Sequence, residues 1–476
     1  MNQAPSISPA DRVPIKEKIA YGLGNVGAGI QENADKALMT PVFVVTVGLS
    51  PSMMSLAGLI YRLWDAITDL LMGWISDNTR TRWGRRRPWI FLGAILMGLA
   101  MPVLFFFNPA WPQPGIIVWM IGFSMLLYLT LTIFNIPYQS LLLEISPSSV
   151  ERTNVAAWRG YLGVVVQFVM TWMWWIVQLP YFNNARGETD MINGARWVTC
   201  GLALIVIVLG LLPALFVRER YYANASKQEK LNLWTNLKLT FKNRPFVILT
   251  AITGTYVLGL NMIWGFDFFV KLYHVCGGDQ KLASTVAGLQ GTLQIFLSLA
   301  GIPIFQFVAR KMGKLFALRL TILIVACASA STLVFYQPGY PYLSMLPILL
   351  LAPASSGIWI LIPSLNGDVV DFDELHTGER REGAFASVFS WILKFALSLA
   401  AAFSGPLIEL AGYRAGLHRD SIPPEILWNL RLFLAATPLV FLVPAILLCA
   451  KFPLTTKRIE EIRAELESRR GTIGAG

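Results

Sequence analysis

No Asp, Glu, Lys or Arg occurs between Arg87 and Glu144. A helix needs about 20 apolar residues to cross the hydrocarbon core of a bilayer, so this one stretch holds two crossings. The cluster from Asn108-Pro109 to Pro114 supplies the turn between them. The stretch from Arg319 to Asp368 repeats the arrangement, with Pro338-Gly339-Tyr340-Pro341 as its turn. The same test along the whole chain gives twelve spans, at roughly 19–47, 53–75, 89–107, 115–140, 154–179, 197–217, 246–270, 283–308, 317–336, 343–367, 384–410 and 427–450. The expected fold class is an all-α membrane protein, with twelve transmembrane helices in two six-helix pseudo-symmetric bundles.

Composition excludes the other classes. Of 476 residues, 55% are hydrophobic and 14% charged, against about 25% charged in a soluble domain. Too few polar groups remain to cover a soluble globule of this length. Disorder, collagen and a nucleic-acid partner fall with the same arithmetic. Cys200, Cys276, Cys327 and Cys449 form no CxxC pair and read as packing residues.

The net charge of +11 follows the membrane rule that inner loops collect Lys and Arg. Of the 39 Lys and Arg, 28 fall at the termini and the even-to-odd connections, and six in the odd-to-even connections: Arg186, Arg196, Lys271, Lys281, Arg414 and Arg419. That bias places both termini in the cytoplasm of a multi-pass protein of the plasma (inner) membrane. The chain divides into a cytoplasmic N-terminus (1–18), an N-terminal six-helix bundle (19–217), a cytoplasmic central loop (218–244), a C-terminal six-helix bundle (245–452) and a cytoplasmic tail (453–476). A weak repeat supports two halves: Ile136-Pro137 then Glu151-Arg152 follows span four as Ile362-Pro363 then Glu379-Arg380 follows span ten. Duplicated halves of this kind place a binding site near the midplane.

Gly22-Leu23-Gly24-Asn25-Val26-Gly27 fits a dinucleotide fingerprint, which requires a preceding strand. Here it opens an apolar span, and close helix packing is the better account. The loop after span two, from Gly73 through Asp77, Arg80, Arg82, Arg85, Arg86 and Arg87 to Pro88, is a basic inner anchor by composition.

Charges inside spans each cost about 2.5–3.5 kcal/mol at a helix centre and are kept for a partner or a task. Arg62, Asp65 and Asp69 stand at i, i+3 and i+7 along one face of span two. Two carboxylates a turn apart in low dielectric require a shared proton or cation, and Thr68 adds a hydroxyl. The competing reading is a structural salt bridge with Arg62 or Lys394. In span one, Glu32 and Lys36 are spaced to pair, while Asp35 faces another side by about 60–100°. A structural pair and a substrate role both fit these three. Arg159 and Lys394 are lone intramembrane cations, and Lys394 has Ser390 one turn before it. Trp359 lies mid-span among Ser355, Ser356 and Gly357, where its ring suits either core packing or the C–H face of a sugar. His274, His376 and His418 form no cluster, and no nucleophile–base set appears. No enzyme and no catalytic residue is expected.

These residues resemble the glycoside–pentoside–hexuronide:cation symporter family of the major facilitator superfamily. The matching pieces are Tyr21 to Gly24, Gly48-Leu49-Ser50-Pro51, Trp64 to Asp69, Met72-Gly73, Asp77 to Trp89, Asp368 to Glu374 and Thr377 to Gly383. The resemblance implies that Asp65, Thr68, Asp69 and Thr132 hold the cation, with Asp65 and Asp69 as the metal ligands if it is Na⁺. It implies that Arg159, Trp359, Ser390 and Lys394 surround the sugar, with Asn135 and Gln139 at two further substrate positions, and an inner latch of Asp77, Arg85, Arg86, Arg380 and Arg381. This chain departs from the family at Gly29 and Asn135, which stand where two sugar-binding aspartates are expected, and at Gln139, which stands for a stacking Trp. Glu32, one turn from Gly29, is placed to replace the lost carboxylate.

The function expected is import of a sugar or a glycoside or uronide by alternating access, coupled to Na⁺ or H⁺. The expected partners are a small saccharide, the coupling cation and the lipid bilayer, with no other cofactor and a monomeric chain. The rivals are a transporter of an amphipathic lipid and a non-transporting ligand sensor on the same fold.

Overall fold

The computed structural model describes residues 12–146, 149–219, 240–378, 381–415 and 422–470. Most of the central loop and the end of the tail lie outside these, as do Arg380, His418 and Arg419. The described chain is helical and forms two compact units, Met1–Glu229 and Lys230–Gly476.

Unit 1 contains α1 (Ile15–Met39), α2 (Pro51–Asn78), α3 (Arg87–Val103), α4 (Gln113–Ile145), α5 (Ser149–Thr171) and α6 (Met191–Phe216). Unit 2 contains α7 (Arg244–Phe269), α8 (Gln280–Met312), α9 (Lys314–Phe335), α10 (Ile348–Thr377), α11 (Glu382–Leu410), α12 (Pro424–Lys451) and the tail helix α13 (Thr456–Arg470). Each of the twelve expected spans has one of α1–α12 over most of its length. Local chemistry starts them. Ser50 accepts the Met53 N–H at 3.2 Å ahead of Pro51, and Asn243 accepts the Phe246 N–H at 3.1 Å ahead of Pro245. Asp190 and Asp279 do the same for α6 and α8. Side-chain oxygens thereby satisfy N–H groups that have no intrahelical partner.

Within unit 1, α1 packs on α5 and α6, α3 on α4 and α6, and α2 on α4. Unit 2 has the same pairing six helices later: α7 on α11 and α12, α9 on α10 and α12, and α8 on α10. The first helix of each unit also ends the same way, in a π-helical segment, Thr40–Thr46 after α1 and Val270–Val275 after α7. The short sequence repeat is therefore the trace of a repeated architecture.

Among the described residues, eight of the twelve helices α1–α12 are long and apolar enough to cross a membrane on composition alone. The other four are α1, α2, α3 and α5. Of these α3 is short and apolar, whereas α1, α2 and α5 carry the candidate charges Glu32, Asp35, Arg62, Asp65, Asp69 and Arg159.

The glycine fingerprint is packing. A Cβ on Gly24 would lie 2.3 Å from Pro213 Cγ of α6, and one on Gly27 would lie 3.1 Å from the Val206 carbonyl oxygen. On the face toward α5, a Cβ on Gly22 would lie 2.6 Å from Leu162 Cδ1. Small residues on two faces let α1 sit between two neighbours at backbone distance.

Two expectations need correction. Lys271 is not a loop cation. The π segment carries the helix past it, and its ammonium is buried against Asp267 at 2.6 Å, four residues earlier. The Tyr336 hydroxyl donates to the other Asp267 oxygen. Cys327 is exposed on α9 rather than packed, whereas Cys276 and Cys449 are buried.

Candidate functional site

Asp65 and Asp69 both reach α4. The Thr132 hydroxyl stands 3.1 Å from Asp65 Oδ1, 3.0 Å from Asp69 Oδ1 and 3.4 Å from the Thr68 hydroxyl. Thr68 in turn donates to the Asp65 carbonyl at 3.1 Å. Thr132 and Thr68 are 1% and 3% exposed. A hydroxyl carries one proton and two lone pairs, so Thr132 can donate to only one of the two carboxylates at a time. Oxygens outnumber the hydrogens these two threonines supply to them. Four hard oxygen-bearing side chains, the threonines buried and the carboxylates half-buried, suit a proton or a small monovalent cation.

On α1, Gln31 reaches α4 beside this cluster, with its amide 3.4 Å from the Thr130 hydroxyl. Glu32 and Lys36 form the expected pair at 3.0 Å, on an exposed side of the helix. Asp35 points elsewhere, as helical spacing requires, and is 4% exposed. A Cβ on Gly29 would lie 3.2 Å from Val166 Cγ1, so α5 presses against the position where the family resemblance places an aspartate.

The remaining substrate candidates are spread more widely. Asn135 is half-buried and Gln139 exposed on α4. Arg159 on α5 lies beside the Tyr21 hydroxyl. Tyr21 itself stacks on Tyr138, with ring centroids 4.4 Å apart, and each hydroxyl donates to the other residue's carbonyl. In unit 2, Trp359 is 47% exposed on α10, which removes core packing as its role. Ser390 and Lys394 lie one turn apart on an exposed face of α11.

The residues expected to form a latch make ion pairs within each unit. Asp77 pairs with Arg86 and lies 3.8 Å from Arg85, and both arginines meet Glu144 at the end of α4. Arg86 also donates to Ser76 at 2.6 Å. Glu219, just beyond α6, accepts the backbone N–H groups of Arg85, Arg86 and Arg87 at 2.7, 2.8 and 2.9 Å. An anion at a helix N-terminus answers both the unpaired donors and the dipole. Gly84 makes this possible: its φ is 110°, and a Cβ there would lie 2.5 Å from Glu219 Oε2. In unit 2, Lys314 at the start of α9 pairs with Asp368 at 2.6 Å. Arg381 pairs with Asp373 at 2.6 Å, and Asn243 donates to the same carboxylate at 3.1 Å. Arg380 lies outside the described residues.

Sequence reasoning missed Glu144, Glu219 and Asp267. Glu144 carried a signal, being the first charge after the long apolar stretch. Asp267 carried one too, as an acid inside a span with a lysine four residues on. Glu219 had none, since its partners are backbone amides over a hundred residues away. Among the described residues, no group of three or more His, Cys, Asp or Glu is placed to hold a metal.

Residues 20–456 match the model of a family described as MFS/sugar transport protein. A putative glycoside/cation symporter of Escherichia coli (strain K12) is 27% identical over 473 residues, covering 97% of each chain. An isoprimeverose transporter of Lactiplantibacillus pentosus is 25% identical over 420 residues, 87% of this chain and 84% of the other. Among solved structures, an inward-facing bacterial homologue of the human lysosomal transporter Spinster superposes with a TM-score of 0.68 at 15% identity, covering 95% of this chain and 97% of that one. This likeness is one of fold.

Proposed function

We propose, from the premise that this chain belongs to the MFS/sugar transport protein family, that it imports a sugar, glycoside or uronide together with Na⁺ or H⁺. As a member of that family it is a multi-pass membrane transporter and not an enzyme. The names of its relatives, a glycoside/cation symporter and an isoprimeverose transporter, support a saccharide substrate and a coupling cation.

The observation that carries the coupling reading is the Thr132 hydroxyl, which stands within 3.1 Å of both Asp65 and Asp69. With no cation the pair repels, and a proton or Na⁺ relieves that repulsion. Thr68 and Thr132 supply neutral oxygens to the same occupant. A bound cation that favours the sugar-competent state must itself be bound more tightly when sugar is present. That reciprocity turns a downhill ion into an uphill sugar.

The substrate is assigned to Glu32, Asn135, Gln139, Arg159, Trp359, Ser390 and Lys394. Trp359 offers a flat apolar face, and the charged and amide groups offer hydrogen bonds to hydroxyls or a uronate. Asp77, Arg85, Arg86, Arg380 and Arg381 form an inner latch that exchanges partners as access alternates. The reading includes both termini in the cytoplasm, as the Lys and Arg bias of the loops supports, a monomeric chain in the plasma (inner) membrane, and bundles at 19–217 and 245–452.

The test is uptake into proteoliposomes of a panel of glycosides, pentosides and uronides, under imposed Na⁺ or pH gradients. Accumulation of at least one of them, driven by one gradient and lost in Asp65→Asn, is the expected result. A carrier that ignores both gradients, or an Asp65→Asn variant that still accumulates substrate, overturns the reading.

A further inference from the structure

Buried polar atoms that lack hydrogen-bond partners gather at one junction of unit 1, beside the Asp65–Asp69 pair but not part of it. They are Gln31 Oε1 on α1, Arg62 Nε on α2, and Ser124 Oγ and Tyr128 Oη on α4. Gln31, Ser124 and Tyr128 are 0%, 2% and 6% exposed. Native interiors leave few such atoms unpaired, and each marks water, an ion or a functional role.

Contacts fix where these atoms lie. Gln31 Nε2 donates to the Leu127 carbonyl at 2.9 Å. The Trp64 indole donates to the Met125 carbonyl at 3.1 Å. The Tyr61 ring stacks on Tyr128, with centroids 4.7 Å apart. Residues 31–35 of α1, 61–64 of α2 and 124–128 of α4 therefore meet at one junction.

Asp35 sits there, one turn beyond Gln31 on the same face. It is 4% exposed, and one of its oxygens accepts the Lys36 N–H at 2.8 Å. The Lys36 ammonium is committed to Glu32. The other charged or titratable groups that act on Asp35 are Glu32 on its own helix and Arg62 on α2; it acts in turn on Tyr61 and on Tyr128 of α4. The helices α5 and α6, also packed on α1, add no charge to it.

The junction leads to the coupling pair. Ser124, Tyr128 and Thr132 occupy successive turns on one face of α4, and Thr132 touches both Asp65 and Asp69. Arg62 stands one turn before Asp65. The junction thus adjoins the pair on the side of the α1–α2 and α3–α4 connections, the outer side in the orientation proposed above.

We propose that this junction is a hydrated antechamber in which Asp35 receives the coupling cation, Na⁺ or a hydrated proton, before it passes to Asp65 and Asp69. The inference rests on the reading of that pair as the coupling site. Asp35 supplies the attraction. Gln31 Oε1 and the Ser124 and Tyr128 oxygens replace part of the hydration shell. Arg62, at the junction and one turn before Asp65, disfavours a cation resting midway.

The test uses purified full-length protein and no sugar. The thermal melting shift is followed as NaCl replaces choline chloride at constant ionic strength, and separately as pH is varied. If Na⁺ is the ion, Asp35→Asn raises the half-saturating Na⁺ concentration about tenfold, the effect of roughly one charge nearby, and keeps the full shift at saturation. If the proton is the ion, the half-effect pH falls by about one unit in the same variant. Asp35→Glu restores the wild-type response, and Asp65→Asn loses it entirely. Ser124→Ala and Tyr128→Phe, which each remove one oxygen, move the half-point in the same direction by less. A wild-type half-point in Asp35→Asn overturns the antechamber. Should that variant fail to fold, unchanged half-points in both Ser124→Ala and Tyr128→Phe overturn it. A wild-type protein that answers neither Na⁺ nor pH overturns the coupling reading itself, and is told apart by that silence.

Discussion

Thr132 on α4 holds its hydroxyl oxygen 3.0 Å from Asp69 Oδ1 on α2, from a position 1% exposed. That contact ties the two helices together through an atom that also faces Asp65. Thr132→Val keeps the shape and removes the oxygen. It is expected to weaken cation activation of uptake about tenfold, the scale of one lost hydrogen bond to a charged group, with little change in maximal rate at saturating cation. Activation curves in proteoliposomes check this, and a curve identical to wild type removes Thr132 from the site.

Glu219 accepts three consecutive amides at the start of α3. Glu219→Ala leaves those donors with water or nothing. A loss of about 1–3 kcal/mol is expected, read as a lower melting temperature of the purified protein. Gly84→Ala is expected to be at least as damaging, because it adds a methyl against Glu219 and strains a positive φ.

Gly24→Leu is expected to prevent correct packing of α1 on α6, since even a Cβ there meets Pro213. Gly122→Ala on α4, where nothing lies within 4 Å of the added carbon, is the control and is expected to be silent. Yield of folded protein by size-exclusion chromatography separates them. Equal tolerance at both positions argues against packing as the role of the motif.

Asp267 and Lys271 are buried as a pair. Removing one partner strands the other, at a cost of about 3–5 kcal/mol. Lys271→Met is therefore expected to destabilise unit 2 strongly, and Asp267→Leu with Lys271→Met to recover most of the loss. A double-variant melting cycle measures the coupling.

Glu151 binds the first turn of α1 through Lys18 at 2.8 Å, and the segment before it through the Val13 N–H at 3.3 Å. Burial works to raise its carboxyl, but the Lys18 ammonium and the Val13 amide outweigh it and hold it below the usual carboxylate range. A carboxyl lowered on folding stabilises above its unfolded value, and that contribution disappears as pH falls through the lowered one. The N-terminal segment is thus expected to stay docked at neutral pH and to loosen in strong acid. Protease cleavage near Arg12, compared at neutral and acid pH and in Glu151→Gln, tests this. The variant should be cut at neutral pH as readily as the wild type is in acid.

Much of the fold was legible because lipid allows few answers. Apolar length placed the helices, and punctuation such as Asn108 to Pro114 placed the turns. The i, i+3, i+7 spacing of Arg62, Asp65 and Asp69 marked the face that meets Thr132, and the i, i+4 spacing of Glu32 and Lys36 predicted their pair. Other features were hidden because they depend on the third dimension. Glu219 has meaning only beside backbone amides far away in sequence. Lys271 looked like a loop residue because a π segment, which no periodicity announced, extends its helix. The unpaired atoms of Gln31, Ser124 and Tyr128 are unremarkable polar residues until three helices bring them together.

The π segments at the ends of α1 and α7 have a mechanical meaning. Each wraps more residues into a turn than the helix below it needs. That surplus is slack, which can be handed along the backbone one bond at a time, like a ruck in a carpet. The two units thus carry, at matched positions, the same local reserve of main chain, above a stem that in α1 is held close to its neighbours by glycines.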